Sequence, residues 1–380
     1  MNYIKLDKIV TISSGQNAPQ DQNEYCLDGC TFIKVSNLDD IIKDDDESRA
    51  CKITVEAISN NKLKVVPKKS ILFAKSGLSC VKNRVYLTKK ETYVVNHLCI
   101  LSNIIDSYAP KWLLYFIKSF NVTKLIKDES YPSISLRDIK NINVPIISKE
   151  EQQIIIKNLD YINSLIKNKQ KEFSLLDELI KSRFIEMFVN SEFDKIQIRK
   201  LVDTKKISAK KMYKSHDEIK YIDISSIDNQ SNLIVGNTKY IFEKAPSRAQ
   251  QCLKKNDILI STVRPNLKNI AIFTEDGDGF VGSSGFCVLR ATECNYQYLK
   301  YVVLNDDFTN AMIKLTNGAN YPAVRDDDVL NYETYNAPIE LQNEFASFAE
   351  QIDKLKFNVQ KEIKDLQELL DKKMQEYFSE

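Results

Sequence analysis

Two pairs of polar loops hold the residue types that can read or grip a nucleic acid. In the first half, Lys75-Ser76-Gly77-Leu78-Ser79 runs into Lys82, Asn83 and Arg84, and a second loop carries Asp128-Glu129-Ser130-Tyr131 ahead of Pro132. The counterparts in the second half are Ser261-Thr262-Val263-Arg264-Pro265-Asn266-Leu267-Lys268-Asn269 and Thr316-Asn317-Gly318-Ala319-Asn320-Tyr321. Arginine and lysine donate to guanine O6 and N7, asparagine pairs with adenine N6 and N7, and hydroxyls and amides reach phosphate. The candidate contacts are therefore Lys75, Ser76, Lys82, Asn83, Arg84, Ser130 and Tyr131, with Arg264, Asn266, Lys268, Asn269, Asn317, Asn320 and Tyr321. Residues 195–214 add eight cations against one acid, Asp203, a balance suited to phosphate steering. A lone lysine-rich loop is usually just solvated surface. The weight comes from both halves placing such a loop after the same strand.

Catalytic constellations are missing beside these loops. Gly277-Asp278-Gly279-Phe280-Val281-Gly282 spells G-x-G-x-x-G, but the β-like Phe286-Cys287-Val288-Leu289-Arg290 follows it instead of a helix. It reads as a hairpin turn. The sequence has no Walker loop, no H-E-x-x-H and no N-P-P-Y-type tetrapeptide at which amino-methyltransferases hold their target amine. Asp326-Asp327-Asp328 suits a helix N-terminus or a solvated run better than a metal site, and Asp44-Asp45-Asp46-Glu47 reads as a solvated loop facing away from DNA. The eight cysteines are scattered singly, which favours buried free thiols over disulfides or zinc. His97, inside the strand-like run Tyr93 to Leu101, reads as a core or edge histidine. The chain itself is expected to hold no metal and no cofactor.

The elements that position the loops recur. Ile196-Gln197-Ile198-Arg199-Lys200-Leu201 resembles Ile4-Lys5-Leu6-Asp7-Lys8-Ile9, and Tyr221-Ile222-Asp223-Ile224-Ser225 resembles Phe32-Ile33-Lys34-Val35-Ser36. Asp257-Ile258-Leu259-Ile260-Ser261 matches Ser70-Ile71-Leu72-Phe73-Ala74, and Gly285-Phe286-Cys287-Val288-Leu289 matches His97-Leu98-Cys99-Ile100-Leu101. Tyr321-Pro322 follows Tyr131-Pro132 by half the 380-residue chain. One scaffold is used twice with individual loops. The first copy is mostly β-like, with a helical piece over residues 111–126 whose Trp112, Tyr115, Phe116 and Ile117 form a buried face.

Each copy leads into a long charged helix. In the first, from Glu151 to Phe188, apolar residues fall at Ile155, Leu159, Ile162, Ile166, Phe173, Leu176, Ile180 and Met187. In the second they fall at Phe345, Ala349, Ile352, Val359, Ile363, Leu366, Leu370 and Tyr377. Gaps of four and three over several heptads describe a coiled-coil seam, and the first helix would extend roughly 57 Å. Burying one seam on the other requires the second helix to run back along the first. The expected fold is α+β: two similar mostly-β domains at 1–144 and 191–337, joined by antiparallel coiled-coil helices at 145–190 and 338–380, with an internal pseudo-two-fold repeat.

The net charge of +2 hides an uneven distribution. Residues 1–147 carry +5, the first helix is neutral, and residues 340–380 carry −4. A nucleic-acid surface then belongs to the globular parts. No apolar run approaches the 18 or so residues of a membrane span, and the opening residues lack a signal-peptide layout, so the cytoplasm is the expected compartment.

These residues resemble the specificity (S) subunits of Type I restriction–modification systems over essentially the whole length. The resemblance rests on the order domain–helix–domain–helix and on Val144-Pro145-Ile146 followed by Glu151-Gln152. It rests also on the run from Asp257 to Leu267 with Ser283-Ser284-Gly285-Phe286 beyond, which looks like the framework of a target recognition domain. The second helix opens Pro338-Ile339-Glu340-Leu341-Gln342, with leucine where the first has glutamate. The resemblance implies a non-catalytic subunit in which each domain reads one half of a bipartite, asymmetric duplex DNA target. It implies that the helix pair sets the spacing and docks two adenine-N6 methyltransferase (modification) subunits, with or without restriction subunits. S-adenosylmethionine would then sit on the methyltransferase partner, and ATP and magnesium on a restriction partner. The competing reading of the residues is a coiled-coil scaffold whose end domains bind protein instead of DNA.

Overall fold

The computed structural model describes residues 2–229, 231–316 and 322–378. The chain divides into two compact units: Met1–Lys169 with Glu362–Glu380, and Gln170–Lys361. Each is built on an antiparallel four-stranded sheet of the same strand order. In the first unit the order is Thr11–Ser14, Leu98–Ser102, Ile71–Ala74, Val85–Leu87, and in the second it is Val202–Asp203, Phe286–Ala291, Ile258–Ser261, Ile270–Ile272. The registers also correspond, with Ile71 opposite Leu101 and Ile258 opposite Leu289.

The continuous apolar runs at Ile71–Ala74 and Ile258–Ser261 arise because both faces of these central strands are covered. Side chains alternate between two cores. Ile71 and Phe73 join a core with Trp112, Leu113 and Leu159, whereas Leu72 and Ala74 face one with Phe32, Ile33 and Val94. Likewise Ile258 and Ile260 pack with Tyr298, Phe188 and Phe345, while Leu259 faces Ile222, Phe273 and Phe286. The second layer is a three-stranded sheet in the first unit, Cys51–Ile53, Tyr25–Ile33 and Tyr93–Val94. In the second unit it has four strands, Thr238–Ile241, Glu218–Ile222, Phe280–Ser283 and Ala249–Cys252. Both contain one parallel pair, Phe32 opposite Tyr93 and Tyr221 opposite Val281.

The long helices span Lys149–Phe184 and Ile339–Phe378. The first opens with a capping box: Ser148 Oγ accepts from Glu151 N at 3.2 Å, and the Glu151 carboxylate accepts from Ser148 N at 2.9 Å. That bond set holds the Glu151 carboxyl below its usual range, the Ser148 backbone contributing most. Leu341 occupies the matching place in the second helix and cannot close such a box. A buried glutamine serves both starts instead. Gln152 accepts from Ala109 N at 2.7 Å and donates to Ser107 O, as Gln342 accepts from Asn295 N at 2.9 Å and donates to Ala337 O. The first helix ends in a widened π turn over Ile185–Val189.

Within each unit the two helices run antiparallel. In the first, Asn158 donates to Tyr377 OH at 2.9 Å and Lys169 pairs with Glu362 at 2.7 Å. In the second, Lys356 pairs with Asp177 and Arg183 with Glu344, both at 2.9 Å. Of the seam, Ile155, Leu159, Ile162, Ile166, Ile180, Phe345, Ile352 and Val359 are buried, while Phe173, Leu176, Ile363, Leu366 and Leu370 are half-buried. Where only one helix covers another, a seam residue keeps part of its surface in water. Phe188 and Phe378 play matching parts at helix ends. Phe188 lies edge-on to Tyr298 at 4.7 Å, and Phe378 lies edge-on to Trp112 at 5.6 Å.

Several sequence expectations need correction. Gly277–Gly282 is not a hairpin, because the strands on either side, Ile270–Ile272 and Phe280–Ser283, belong to different sheets. Glu47 is not solvated: it is 3% exposed, accepting from Lys89 N at 2.7 Å and from Tyr86 OH at 3.2 Å. The Tyr86 hydroxyl is pushed upward by burial and by that carboxylate. The run Tyr93 to Leu101 is two strands broken at 95–97, which leaves His97 exposed in the turn. All eight cysteines are free, but Cys26, Cys30, Cys51 and Cys294 are only half-buried. Burial pushes the Cys99 thiol up to about 12, so it is inert at neutral pH. By contrast, the aspartates at 326–328 do form a helix N-terminus, the first turn of a short helix where Asp327 pairs with Arg199 and Asp326 with Lys206.

Candidate nucleic-acid interface

The two loops nominated in each half by their residue types meet in space. In the first unit the chain leaving Ile71–Ala74 forms a bridge between Ser76 and Ser133, and in the second the chain leaving Ile258–Ser261 forms one between Val263 and Ala323. Gly77 N donates to Pro132 O at 3.0 Å and Ile134 N to Lys75 O at 2.7 Å. The second unit repeats this with Arg264 N to Pro322 O at 2.8 Å and Val324 N to Thr262 O at 2.9 Å. A third segment joins both clusters: Lys75 N donates to His97 O at 2.9 Å, and Thr262 N to Gly285 O at 3.0 Å.

Gly77 and Arg264 occupy the same place and both have positive φ, 77° and 51°. The turn that brings the loops together requires it. Glycine meets that requirement without cost, and Arg264 meets it in the left-handed helical region. The fastening common to both units is thus main-chain, and the side chains around it differ, Thr262 Oγ1 adding a bond to Gly285 O at 3.0 Å in the second.

The nominated side chains divide by what already holds them. In the first unit Lys75 is half-buried and makes no ion pair among the described residues. Ser76 Oγ is 2.8 Å from His97 Nδ1. Lys82 is exposed, 3.9 Å from Asp39. Tyr131 is 82% exposed, its loop shaped by Asp128, whose carboxylate accepts from Ser130 N at 2.8 Å and Tyr131 N at 3.4 Å. Asn83 and Arg84 turn inward. Asn83 donates to Lys118 O at 2.9 Å, and Arg84 pairs with Asp39 at 2.7 Å with its side chain 10% exposed. Burial lowers the Lys118 ammonium's pKa beside them. These two brace the 3-10 turn Leu78–Lys82 from beneath.

In the second unit Asn266 is exposed on a 3-10 turn over Pro265–Leu267. Lys268 pairs with Asp306 and reaches Leu304 O at 3.4 Å, and its hydrogen bond holds the Asp306 carboxyl below its usual range. Asn269 contributes its carbonyl to Ser261 N at 3.0 Å. Asn317, Asn320 and Tyr321 lie outside the described residues. Of the basic stretch 195–214, Lys206 and Lys210 line a polar cleft of about 250 Å³ with Ser208, Gln250, Gln251 and Ser284, adjoining Gly285 in sequence. Lys195 instead lies over the Tyr335 ring, and Arg199 is spent on Asp327. His97 is the residue that sequence reasoning passed over. Its signal was the polar Asn96-His97 interrupting an otherwise apolar run.

Among the described residues no group of three or more His, Cys, Asp or Glu is arranged to hold a metal ion, and no helix is long and apolar enough to cross a membrane. Residues 1–174 match the family model for the Type I restriction modification DNA specificity domain. A curated relative, the Type I restriction enzyme MjaIX specificity subunit of Methanocaldococcus jannaschii, is 31% identical over 157 residues, 37% of this chain and 34% of that protein. The match thus spans about a third of the relative's length. Two solved structures share the fold end to end. The S subunit of a Type I restriction–modification system from M. genitalium has a TM-score of 0.52 at 15% identity, covering 100% of this chain and 96% of its own. A chain from a structure of complex assembly and conformational transition of the type I R-M system has a TM-score of 0.58 at 14% identity, covering 99% and 97%. Residues 1–174 thus match a Type I restriction modification DNA specificity domain, and the repeated α+β architecture of the whole chain shares its fold with the S subunits of Type I restriction–modification systems.

Proposed function

We propose that the two units read the two halves of a bipartite, asymmetric duplex DNA target and that the chain performs no chemistry itself. The observation that carries this reading is the three-segment cluster, fastened by the same main-chain hydrogen bonds in both units and dressed with different side chains. A common frame with variable side chains suits two heads that perform one operation on two sequences. The paired long helices fix the gap between half-sites and dock two adenine-N6 methyltransferase subunits, to which restriction subunits can add. S-adenosylmethionine belongs on the methyltransferase, and ATP with magnesium on a restriction partner. Exchanging residues 1–144 for the first domain of another S subunit tests the assignment. Methylome sequencing of cells carrying the chimera should show one half of the methylated site replaced and the other retained. A change in both halves, or in neither, would refute it.

A further inference from the structure

His97 is the one histidine of the first unit, exposed in the turn between the strands Tyr93–Val94 and Leu98–Ser102. Its carbonyl is anchored by Lys75 N, and its ring is anchored by Ser76 Oγ at Nδ1, 2.8 Å away. A hydrogen bond at one ring nitrogen orients the ring and leaves Nε2 as its remaining hydrogen-bonding atom. Ser76 is itself bridged to Ser133, two residues beyond the exposed Tyr131, and Gly77 N is tied to Pro132 O. The residue is therefore held at two points, backbone and ring, in the middle of the cluster. A surface histidine with no task has no need of such fixing.

The second unit keeps every main-chain contact here and discards the side chains. Val263 stands in the place of Ser76, and Gly285 in the place of His97. Neither can offer a side-chain hydrogen bond. We propose that the Ser76–His97 pair is a specificity-determining element, with His97 contacting a base edge in the half-site read by the first unit and no side chain doing so from the matching position of the second. The proposal rests on the DNA-reading function set out above. It makes the two heads unequal at one defined point.

Selection from a randomised duplex library by the full chain tests it. The wild type should enrich a bipartite motif, and His97→Ala should lower discrimination at one base pair of one half by about tenfold, leaving the other half unchanged. Ser76→Ala, which frees the ring without removing it, should weaken the same base pair by a smaller factor. Val263→Ala should leave both halves as they are. An unchanged motif in His97→Ala would overturn the proposal. A uniform loss over all sequences, with a shallower salt dependence, would overturn it too by making His97 a phosphate contact. Failure of the wild type to enrich any sequence would instead overturn the DNA-reading function itself.

Discussion

Gly77→Ala isolates the backbone requirement of the first cluster. Gly77 has φ 77° and ψ 174°, a region almost closed to residues with a Cβ. A Cβ built there meets nothing within 4 Å, so the cost is conformational strain without a clash. Strain of this kind amounts to about 1–3 kcal/mol. If the loop relaxes instead, it gives up the Gly77–Pro132 hydrogen bond, a loss of about 1 kcal/mol. Trp112 is the chain's single tryptophan and is buried in the first unit, so urea unfolding followed by its fluorescence reports on that unit. The midpoint should fall by roughly 0.5–1.5 M for a slope of about 2 kcal/mol per M. Leu78→Ala is the control, since Leu78 is 78% exposed in the same loop and its loss should stay within about 0.5 kcal/mol. Coincident curves for Gly77→Ala and Leu78→Ala would show that the positive-φ turn is not what holds the loops together.

Phe188→Ala should cost about 3–5 kcal/mol, because the ring is fully buried among Phe184, Tyr298 and Phe345. Phe378→Ala should cost less, its ring being half-buried, and it should shift Trp112 fluorescence; calorimetry of both variants checks the order. Burial opposes ionisation of Asp177, yet the Lys356 hydrogen bond and the Lys356 and Lys181 charges outweigh it and hold the carboxyl below its usual range. A depressed carboxyl stabilises the fold above its unfolded pKa of about 3.9 and loses that contribution as pH falls through the folded value. Asp177→Asn should therefore be less stable than wild type at pH 7, with the gap closing as pH falls below the ordinary carboxylate range in a denaturation series. Duplex binding should weaken steeply between 50 and 200 mM salt, and a flat profile would favour the protein-scaffold reading.

The sequence made the repeated frame legible because burial on both faces leaves a continuous apolar run and burial on one seam leaves a period of seven. Ile71–Ala74 and the stripe from Ile155 to Ile180 needed no distant information. The interface was legible only in part. Nothing local says that Lys75 and Ser133 approach each other, since their joining depends on register set more than fifty residues apart. Asn83 and Arg84 looked like free donors because their partners, Lys118 and Asp39, are supplied by other elements. Glu47 misled for the same reason, its ligands Tyr86 and Lys89 lying some forty positions away. His97 was hidden by a run of apolar neighbours that straddles a turn.

Because the bonds common to both clusters run between carbonyls and amides, most side chains there can be exchanged without breaking them. Drift at such positions is uncoupled from folding, so a lineage can wander to new targets one substitution at a time while its architecture stays put.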